Sequence, residues 1–367
     1  MKNKKIIRKI LLASGIIIIV VIFAMIYFVG NEKTKKIKIG FIMSGEASEQ
    51  GWNGLHFEGI KEACEELDIE LIVKENIEEY SGQCEMAVKE LADEEVEIII
   101  LSSCGYAEEV QDIVKEYPDI TFYSESFDYY GGNLNCYFAR GYQARYLAGI
   151  IAGMQTETDC IGYVAAMPNS EVNRGINAFT LGVKSVNPDA TVHVVWSQSW
   201  TDYTANEKAA QQLVDEIGVD IITMHCDSVA PLDVAEKSGI WSIGYNMDNS
   251  ELYPNSFLTA AVWEWEKFYI PEITTYLQGK YHSGNYWEGS ETGLVDLSPL
   301  TDNVKDGIEE VVTEKRAMLD QGTYDVFYGP IVDVDGNIRI GEGENMPDEA
   351  MLNSFDWYVE GVCIYEE

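Results

Sequence analysis

The sequence is poor in basic residues and lacks the motifs of the common enzyme classes. Its 367 residues contain 25 Lys and Arg against 62 Asp and Glu, which gives a formal net charge of −37. Because so acidic a surface is repelled by phosphates, we expect no binding to nucleic acid. The sequence has no P-loop, no glycine-rich dinucleotide turn, no nucleophile elbow and no zinc-protease helix. We therefore predict no catalytic residues, no metal site and no cofactor.

Histidine and cysteine are also sparse. The four histidines are scattered, and the seven cysteines form no C-x-x-C pair, so buried thiols are expected, with at least one left unpaired. One acidic run, Asp333, Asp335 and Asn337 with Glu344, has the spacing of a calcium loop, but Ile338 replaces the glycine that such a loop needs. The neighbouring Asp335-Gly336 pair predicts a β-hairpin, and calcium binding is the alternative.

Only one long hydrophobic run occurs, at the amino terminus. A basic tip precedes uncharged residues 10–30, a stretch of ~20 residues that is long enough to cross a bilayer and longer than the core of a signal peptide. We predict an uncleaved membrane anchor at about residues 10–30, with a cleaved signal peptide as the alternative. The positive-inside rule then places the remainder outside the cytoplasm.

From residue 37 onward, short β patterns alternate with amphipathic helical patterns. This alternation predicts an α/β protein with parallel sheets, and its length predicts two doubly wound lobes. We divide the chain into residues 1–36 (basic tip, anchor and linker), 37–139 (first lobe) and 140–262 (second lobe). Residues 263–367 are expected to supply crossover segments and the hairpin, so that the hinge would contain more than one strand.

Two tryptophan loops are the main indication of function. Gly51-Trp52-Asn53 and Ser199-Trp200-Thr201-Asp202 each follow a predicted strand, one in each lobe. Ligands bind at the carboxyl ends of the strands in doubly wound sheets, so the two loops can face each other across a cleft. Two indole rings around a gap suit a flat heteroaromatic ligand. The loops with Ser103 and Tyr106 and with Asp227 also follow strands and offer polar groups to the same edge.

Several short motifs, in this order along the chain, resemble those of the basic membrane protein family of substrate-binding proteins, which serve ABC importers and include purine-nucleoside-binding lipoproteins. The motifs are Gly51-Trp52-Asn53 with Gly59, Gly105-Tyr106, Tyr146-Leu147-Ala148-Gly149, Phe179-Thr180-Leu181-Gly182 with Val186-Asn187-Pro188, Ser199-Trp200-Thr201-Asp202, Ile243-Gly244-Tyr245-Asn246-Met247-Asp248 and Phe327-Tyr328-Gly329-Pro330. The resemblance extends from about residue 37 to the carboxyl terminus.

The resemblance implies a type I periplasmic-binding-protein fold that closes around its ligand. It implies that Trp52 and Trp200 sandwich a purine and that Asn53 bonds the base edge. It implies further site residues at Asp202, Asp227, Ser103 and Tyr106.

The sequence departs from the nucleoside binders at two positions that help to hold ribose. Asn246 replaces an aspartate, and Trp263 lies near the position of a lysine. A free purine base is therefore as plausible a ligand as a nucleoside. The implied partners are an ABC permease and its ATPase. A ligand-sensing module that signals to a membrane partner is the alternative, and a nucleoside-acting enzyme is the least favoured one.

Overall fold

The computed structural model describes residues 36–126 and 130–365, which form two large sheets and a hairpin. The strands of the first sheet are Lys38–Ile42 (β1), Glu70–Lys74 (β2), Ile98–Leu101 (β3), Thr121–Glu125 (β4), Leu134–Ala139 (β5) and Asn285–Glu288 (β11). Those of the second are Cys160–Ala165 (β6), Thr191–Trp196 (β7), Ile221–His225 (β8), Trp241–Asn246 (β9), Phe257–Trp263 (β10), Val295–Leu297 (β12) and Val362–Tyr365 (β15). The hairpin pairs Ile331–Val332 (β13) with Ile338–Ile340 (β14).

The two sheets share one strand order. The first reads β2-β1-β3-β4-β5-β11, and the core of the second reads β7-β6-β8-β9-β10. All of these neighbours are parallel, whereas β12 joins β10 antiparallel at one edge and β15 joins β7 parallel at the other. The predicted α/β fold with parallel-sheet lobes is confirmed. In this strand order, ligands bind outside the carboxyl ends of the strands, where the order of the sheet reverses.

Helices cover both sheets and form where the sequence supplies apolar faces and caps. Their bounds are Trp52–Glu66 (α1), Gln83–Asp93 (α2), Tyr106–Glu109 (α3), Tyr142–Gln155 (α4), Ser170–Val186 (α5), Tyr203–Gln212 (α6), Ala230–Ser238 (α7), Glu266–Leu277 (α8), Ile308–Asp320 (α9) and Asp348–Asn353 (α10). The Asn169 side chain caps α5 by accepting a hydrogen bond from Val172 N at 2.9 Å. Central strands such as β3 are wholly buried, which explains their uninterrupted apolar sequence.

Helices α4 and α5 of the second lobe pack with their backbones in contact. A Cβ atom placed on Gly149 would lie 2.0 Å from Phe179 O, and one on Gly182 would lie 2.1 Å from Tyr146 O. No side chain fits at either position. The two glycines of the Tyr-Leu-Ala-Gly and Phe-Thr-Leu-Gly motifs therefore set the spacing of this helix pair.

The described chain passes between the two sheets at three places: after β5, after β10 and between β11 and β12. These crossings contact one another. Arg140 N donates to Glu288 O at 2.8 Å, and Ser290 N donates to the Gln143 side chain at 2.8 Å. A Cβ atom on Gly141 would lie 2.9 Å from the Trp263 ring. The connection between the lobes is thus a set of adjoining segments.

Three sequence expectations have distinct outcomes. The hairpin at Asp335-Gly336 is confirmed, and the Asp333 carboxylate accepts the backbone N–H groups of Asp335 and Asn337 there. Within the described ranges no cluster of His, Cys, Asp or Glu is arranged to hold a metal. The predicted anchor at residues 10–30 lies outside the described residues, and none of the helices that are described is long and apolar enough to cross a membrane.

Candidate functional site

A cavity of ≈ 410 Å³ lies between the carboxyl edges of the two sheets. Every lining segment lies at or just after the carboxyl end of a strand. In the first sheet these strands are β1, β2, β3 and β4, and in the second sheet they are β6, β7, β8 and β9. The lining residues are Ser44, Glu49, Trp52, Asn53, Glu79, Tyr80, Ser103, Cys104, Gly105, Glu125, Asn169, Glu171, Trp200, Thr201, Asp227 and Tyr245. Its volume is in the ~300–1,000 Å³ range of small-molecule sites.

Trp52, the first residue of α1, is held in place from behind. Its indole Nε1 donates to Ser102 O at 3.0 Å. Its ring meets the rings of Trp263 and Trp265 edge to face, with centroids 5.6 and 5.4 Å apart, and those two rings stack on each other at 5.1 Å. Trp52 therefore lines the cavity with an orientation that is fixed before a ligand binds.

The loop before α1 folds back over its first turn. Asn53 donates from Nδ2 to Glu49 Oε2 at 2.9 Å and accepts from Ser44 Oγ at 3.2 Å. This fold requires glycine at position 54, because a Cβ atom there would lie 1.9 Å from Glu49 O. Both polar ends of the Asn53 amide thus have partners within the loop, and Glu49 is brought to the cavity.

Trp200 and Asp227 lie on adjacent loops of the second lobe. Asp227 N donates to Trp200 O at 2.8 Å, and the Asp227 carboxylate accepts from Asn246 Nδ2 at 2.6 Å. The Trp200 ring meets the His225 ring edge to face at 5.9 Å. Gly51 of the first lobe approaches Asp227 closely, since a Cβ atom on Gly51 would lie 3.1 Å from Asp227 Cβ. The two tryptophan loops therefore border the same cavity from different lobes.

Two carboxyl groups of the first lobe, Glu79 and Glu125, bind the loop of residues 103–105 on the opposite side of the cavity. Glu79 Oε1 accepts from Ser103 Oγ at 2.6 Å and from Gly105 N at 2.7 Å. Glu125 Oε1 accepts from Cys104 Sγ at 2.8 Å. Burial raises the pKa of Glu125 well above its usual value.

Glu171 joins the main cavity to a smaller one of ≈ 20 Å³ behind it. Burial alone would raise the pKa of Glu171, but a hydrogen bond from His225, at 3.4 Å, and the charges of Arg174 and Arg145 lower it. The Arg145 guanidinium lies 4.0 Å from the centre of the Tyr245 ring. The two arginines thus favour the ionised form of Glu171.

The protonation of Asp227 is a property that can be tested without a ligand. Burial raises its pKa to about 7, the charges of Glu49 and Glu171 add to the rise, and the hydrogen bond from Asn246 opposes it. Between about pH 4 and pH 7 the native state therefore binds more protons at Asp227 than the unfolded state does. The contribution of Asp227 to stability falls as pH rises through this window. Burial lowers the pKa of His225 from 6.5 to about 4. The contribution of His225 to stability therefore rises with pH between these two values.

Comparison of the wild type with Asp227→Asn isolates the first effect. We expect the free energy of unfolding of the wild type, relative to the variant, to decrease as pH rises from about 4.5 to 7, with a slope of up to ~1.4 kcal/mol per pH unit for one proton. Urea denaturation of both proteins at four pH values measures it. A constant difference across the series would contradict a raised pKa at Asp227.

The structure brings five of the nine predicted site residues to the cavity, namely Trp52, Asn53, Ser103, Trp200 and Asp227. The other four lie elsewhere. Asp202 caps α6, accepting from Ala205 N at 3.0 Å, and Tyr106 is fully buried with its hydroxyl donating to Ile77 O. Asn246 lies behind Asp227, and Trp263 lies behind Trp52 and lines the smaller cavity.

Sequence reasoning missed the acidic residues that complete the cavity: Glu49, Glu79, Glu125 and Glu171. In a chain with 62 acidic residues, their identity carried no signal. Their positions carried a signal, because Glu125 ends β4 and Glu171 follows β6 at the edge where the ligand is expected.

A protein-family model described as "ABC transporter substrate-binding protein PnrA-like" matches residues 36–324. The chain belongs to this family. A purine-binding protein of Brucella abortus (strain 2308) is 36% identical over 330 residues, which cover 89% of this chain and 93% of the relative. The family is one of substrate-binding proteins, in agreement with the resemblance drawn from the sequence motifs.

Other members and neighbours differ in what their names assign to them. An ABC transporter protein of Haloferax volcanii, provisionally named for glucose binding, is 30% identical over 334 residues, 91% of this chain and 82% of the relative. A solved structure of a transcriptional activator of the comK gene from Bacillus halodurans aligns with a TM-score of 0.70 at 25% identity, over 78% of this chain and 99% of that one. This PnrA-like chain thus shares its fold with a regulatory protein as well.

Proposed function

We propose that this chain captures a purine base or nucleoside between its two lobes outside the cytoplasm and delivers it to an ABC importer. The observation that carries the proposal is that Trp52 and Trp200 line one cavity from different lobes. Stacking of a base on an aromatic side chain contributes ~1–3 kcal/mol per contact. A planar ligand that touches both rings binds the closed arrangement better than an open one, and so favours closure.

The purine-binding relative supports this ligand class, since 36% identity extends over 89% of this chain. Neither Asn246 nor Trp263, the residues that replace the ribose-binding pair of nucleoside binders, lines the main cavity. We therefore keep the free base and the nucleoside together as ligands. The apolar segment at residues 10–30 would anchor the lobes to the outer face of the membrane.

Calorimetry with adenine, guanine, adenosine and inosine on the full-length protein tests the proposal. We expect saturable binding by at least one purine. At about 100 times its dissociation constant, that ligand should stabilise the fold by ~2.7 kcal/mol, measured as a shift in thermal unfolding. Glucose serves as the comparison ligand because of the Haloferax relative. Binding of glucose with no response to any purine would replace the proposed ligand class.

A ligand-sensing module is a second candidate, favoured by the likeness to the Bacillus halodurans transcriptional activator. Uptake of labelled purine separates the two. Loss of uptake in cells that lack this chain supports delivery to an importer. Unchanged uptake together with an altered transcriptional response to the purine supports sensing.

A further inference from the structure

The wall of the main cavity is acidic on both sides. Five carboxyl residues line it, three from the first lobe and two from the second, and none of the described lining residues is Lys or Arg. They are Glu49, Glu79, Glu125, Glu171 and Asp227. Bringing carboxylates together and away from water is costly unless positive charge or hydrogen bonds compensate them.

Two of the five need no compensation from a ligand. Glu171 accepts a hydrogen bond from His225, and the positive charges of Arg145 and Arg174, which line the smaller cavity, stabilise its ionised form. Glu125 accepts a hydrogen bond from Cys104 Sγ, and its burial favours the uncharged form. One carboxylate oxygen of Glu79 accepts hydrogen bonds from Ser103 Oγ and Gly105 N, which are both uncharged donors.

Glu49 and Asp227 also lack a counter-charge and, unlike Glu79, lie on loops of different lobes that approach each other. Glu49 Oε1 is shielded from solvent and finds no hydrogen-bond partner among the described residues, while its Oε2 is bonded to Asn53. Asp227 has only the amide of Asn246 on its carboxylate among the side-chain bonds of the described chain. The two residues belong to different lobes, and Gly51 brings the loop of Glu49 against Asp227. Closure thus places two acids near each other.

We propose that the ligand is a planar heteroaromatic cation, held between Trp52 and Trp200 with its positive charge toward Glu49 and Asp227. The inference rests on the proposed function for the position of the site and adds the charge of the ligand. Indole rings attract cations over their faces, so the rings and the carboxylates favour the same ligand. A neutral ring would supply no charge to offset these acids, whereas a cation would favour the ionised form of Asp227, whose pKa burial raises to about 7.

Matched ligands that differ mainly in charge test the inference. At pH 7.5, which is above the pKa of Asp227, 1-methyladenosine is mostly cationic and N6-methyladenosine is its neutral isomer. N1-methylnicotinamide is a cation without a purine, and nicotinamide is its neutral parent. Calorimetry with the full-length protein should give a dissociation constant about tenfold or more lower for the cation in at least one pair. Equal or tighter binding of the neutral member in both pairs overturns the inference.

Variants connect the preference to the acids. We expect Glu49→Gln and Asp227→Asn each to reduce the cation-to-neutral ratio of affinities several-fold. Glu46→Gln changes a residue of the same loop that does not line the cavity, and it should keep the ratio. An unchanged ratio in both Glu49→Gln and Asp227→Asn also overturns the inference.

The outcomes separate this inference from the proposed function. Binding of neutral purines without preference for cations retains the purine function and removes the cationic ligand. Binding of N1-methylnicotinamide with no response to purines retains the cationic ligand and removes the purine function. If none of these ligands and no purine binds, both are overturned.

Discussion

Replacing Trp200 by alanine is expected to weaken purine binding by about 5- to 150-fold, the equivalent of the ~1–3 kcal/mol that one base–aromatic stack contributes. Trp200 is the better of the two tryptophans for this test. Trp52 also packs against Trp263 and Trp265, so its removal would disturb the first lobe as well as the site. Calorimetry on the wild type and the variant, with the tightest purine found, measures the change.

Trp196→Ala is the matched control for this experiment. Trp196 ends β7, four positions before Trp200, and it borders a separate groove outside the main cavity. We expect its removal to leave the dissociation constant within about twofold. If Trp200→Ala binds as tightly as the wild type, or if both variants lose the same affinity, the stacking role of Trp200 is disproved.

The largest effect on stability is expected for Gly149→Val. Overpacking typically costs ~1–3 kcal/mol and sometimes more, and here the new side chain would meet the backbone carbonyl of Phe179, which cannot rotate away. We expect a loss of about 3 kcal/mol or more in the free energy of unfolding. In a helix without this contact, removing a glycine would instead favour the helix by up to ~1 kcal/mol. A loss of stability would therefore show that the clash with Phe179 outweighs the gain in helix propensity, and a gain in stability would show the opposite.

Urea denaturation measures this change, with Gly284→Val as the matched control. Gly284 has open space where its Cβ atom would lie and no positive φ angle, and it lies in the first lobe far from this helix pair along the chain. We expect its substitution to change stability by no more than ~0.5 kcal/mol. A Gly149→Val variant as stable as the wild type would show that α4 and α5 can separate at no cost.

The strands that are easiest to recognise in the sequence are those whose residues are apolar without interruption. Ile98–Leu101 and Cys160–Ala165 are of this kind, because they are buried on both faces. Two edge strands, β11 and β15, have no such pattern. Asn285–Glu288 is largely polar, and Val362–Tyr365 pairs with a strand far earlier in the chain, so neither has a local pattern that predicts its partner.

Helix boundaries depended on single glycines and on packing. The helical sequence pattern extends over residues 303–319, but the helix begins at Ile308, because Gly307 has a left-handed φ of 86° and ends the turn before it. A similar pattern near residues 107–116 corresponds to a short helix, Tyr106–Glu109, followed by a separate 3-10 turn at Ile113–Glu116. Periodicity shows where apolar faces lie, but not where the backbone is interrupted.

For the site, chain order predicted which loops meet, but not which way each side chain points. Trp52 and Trp200 follow strands of different lobes and line one cavity, as the loop positions indicated. Tyr106 follows a strand equally closely, yet its ring is buried in the first lobe because its hydroxyl bonds Ile77 O. Asp202 caps a helix by accepting a hydrogen bond from Ala205 N, three residues later, which is typical of an aspartate at a helix start.

Strand β15 has a consequence for the edge of the second sheet. Val362–Tyr365 is far from β7 along the chain, yet it covers the edge of β7 in the second sheet. Without it, β7 presents an unpaired row of backbone donors and acceptors, the kind of edge on which other chains can add. The outer edge of β7 is therefore protected by a distant segment of the chain, and a variant that lacks Val362–Tyr365 would expose that edge to pairing with other chains.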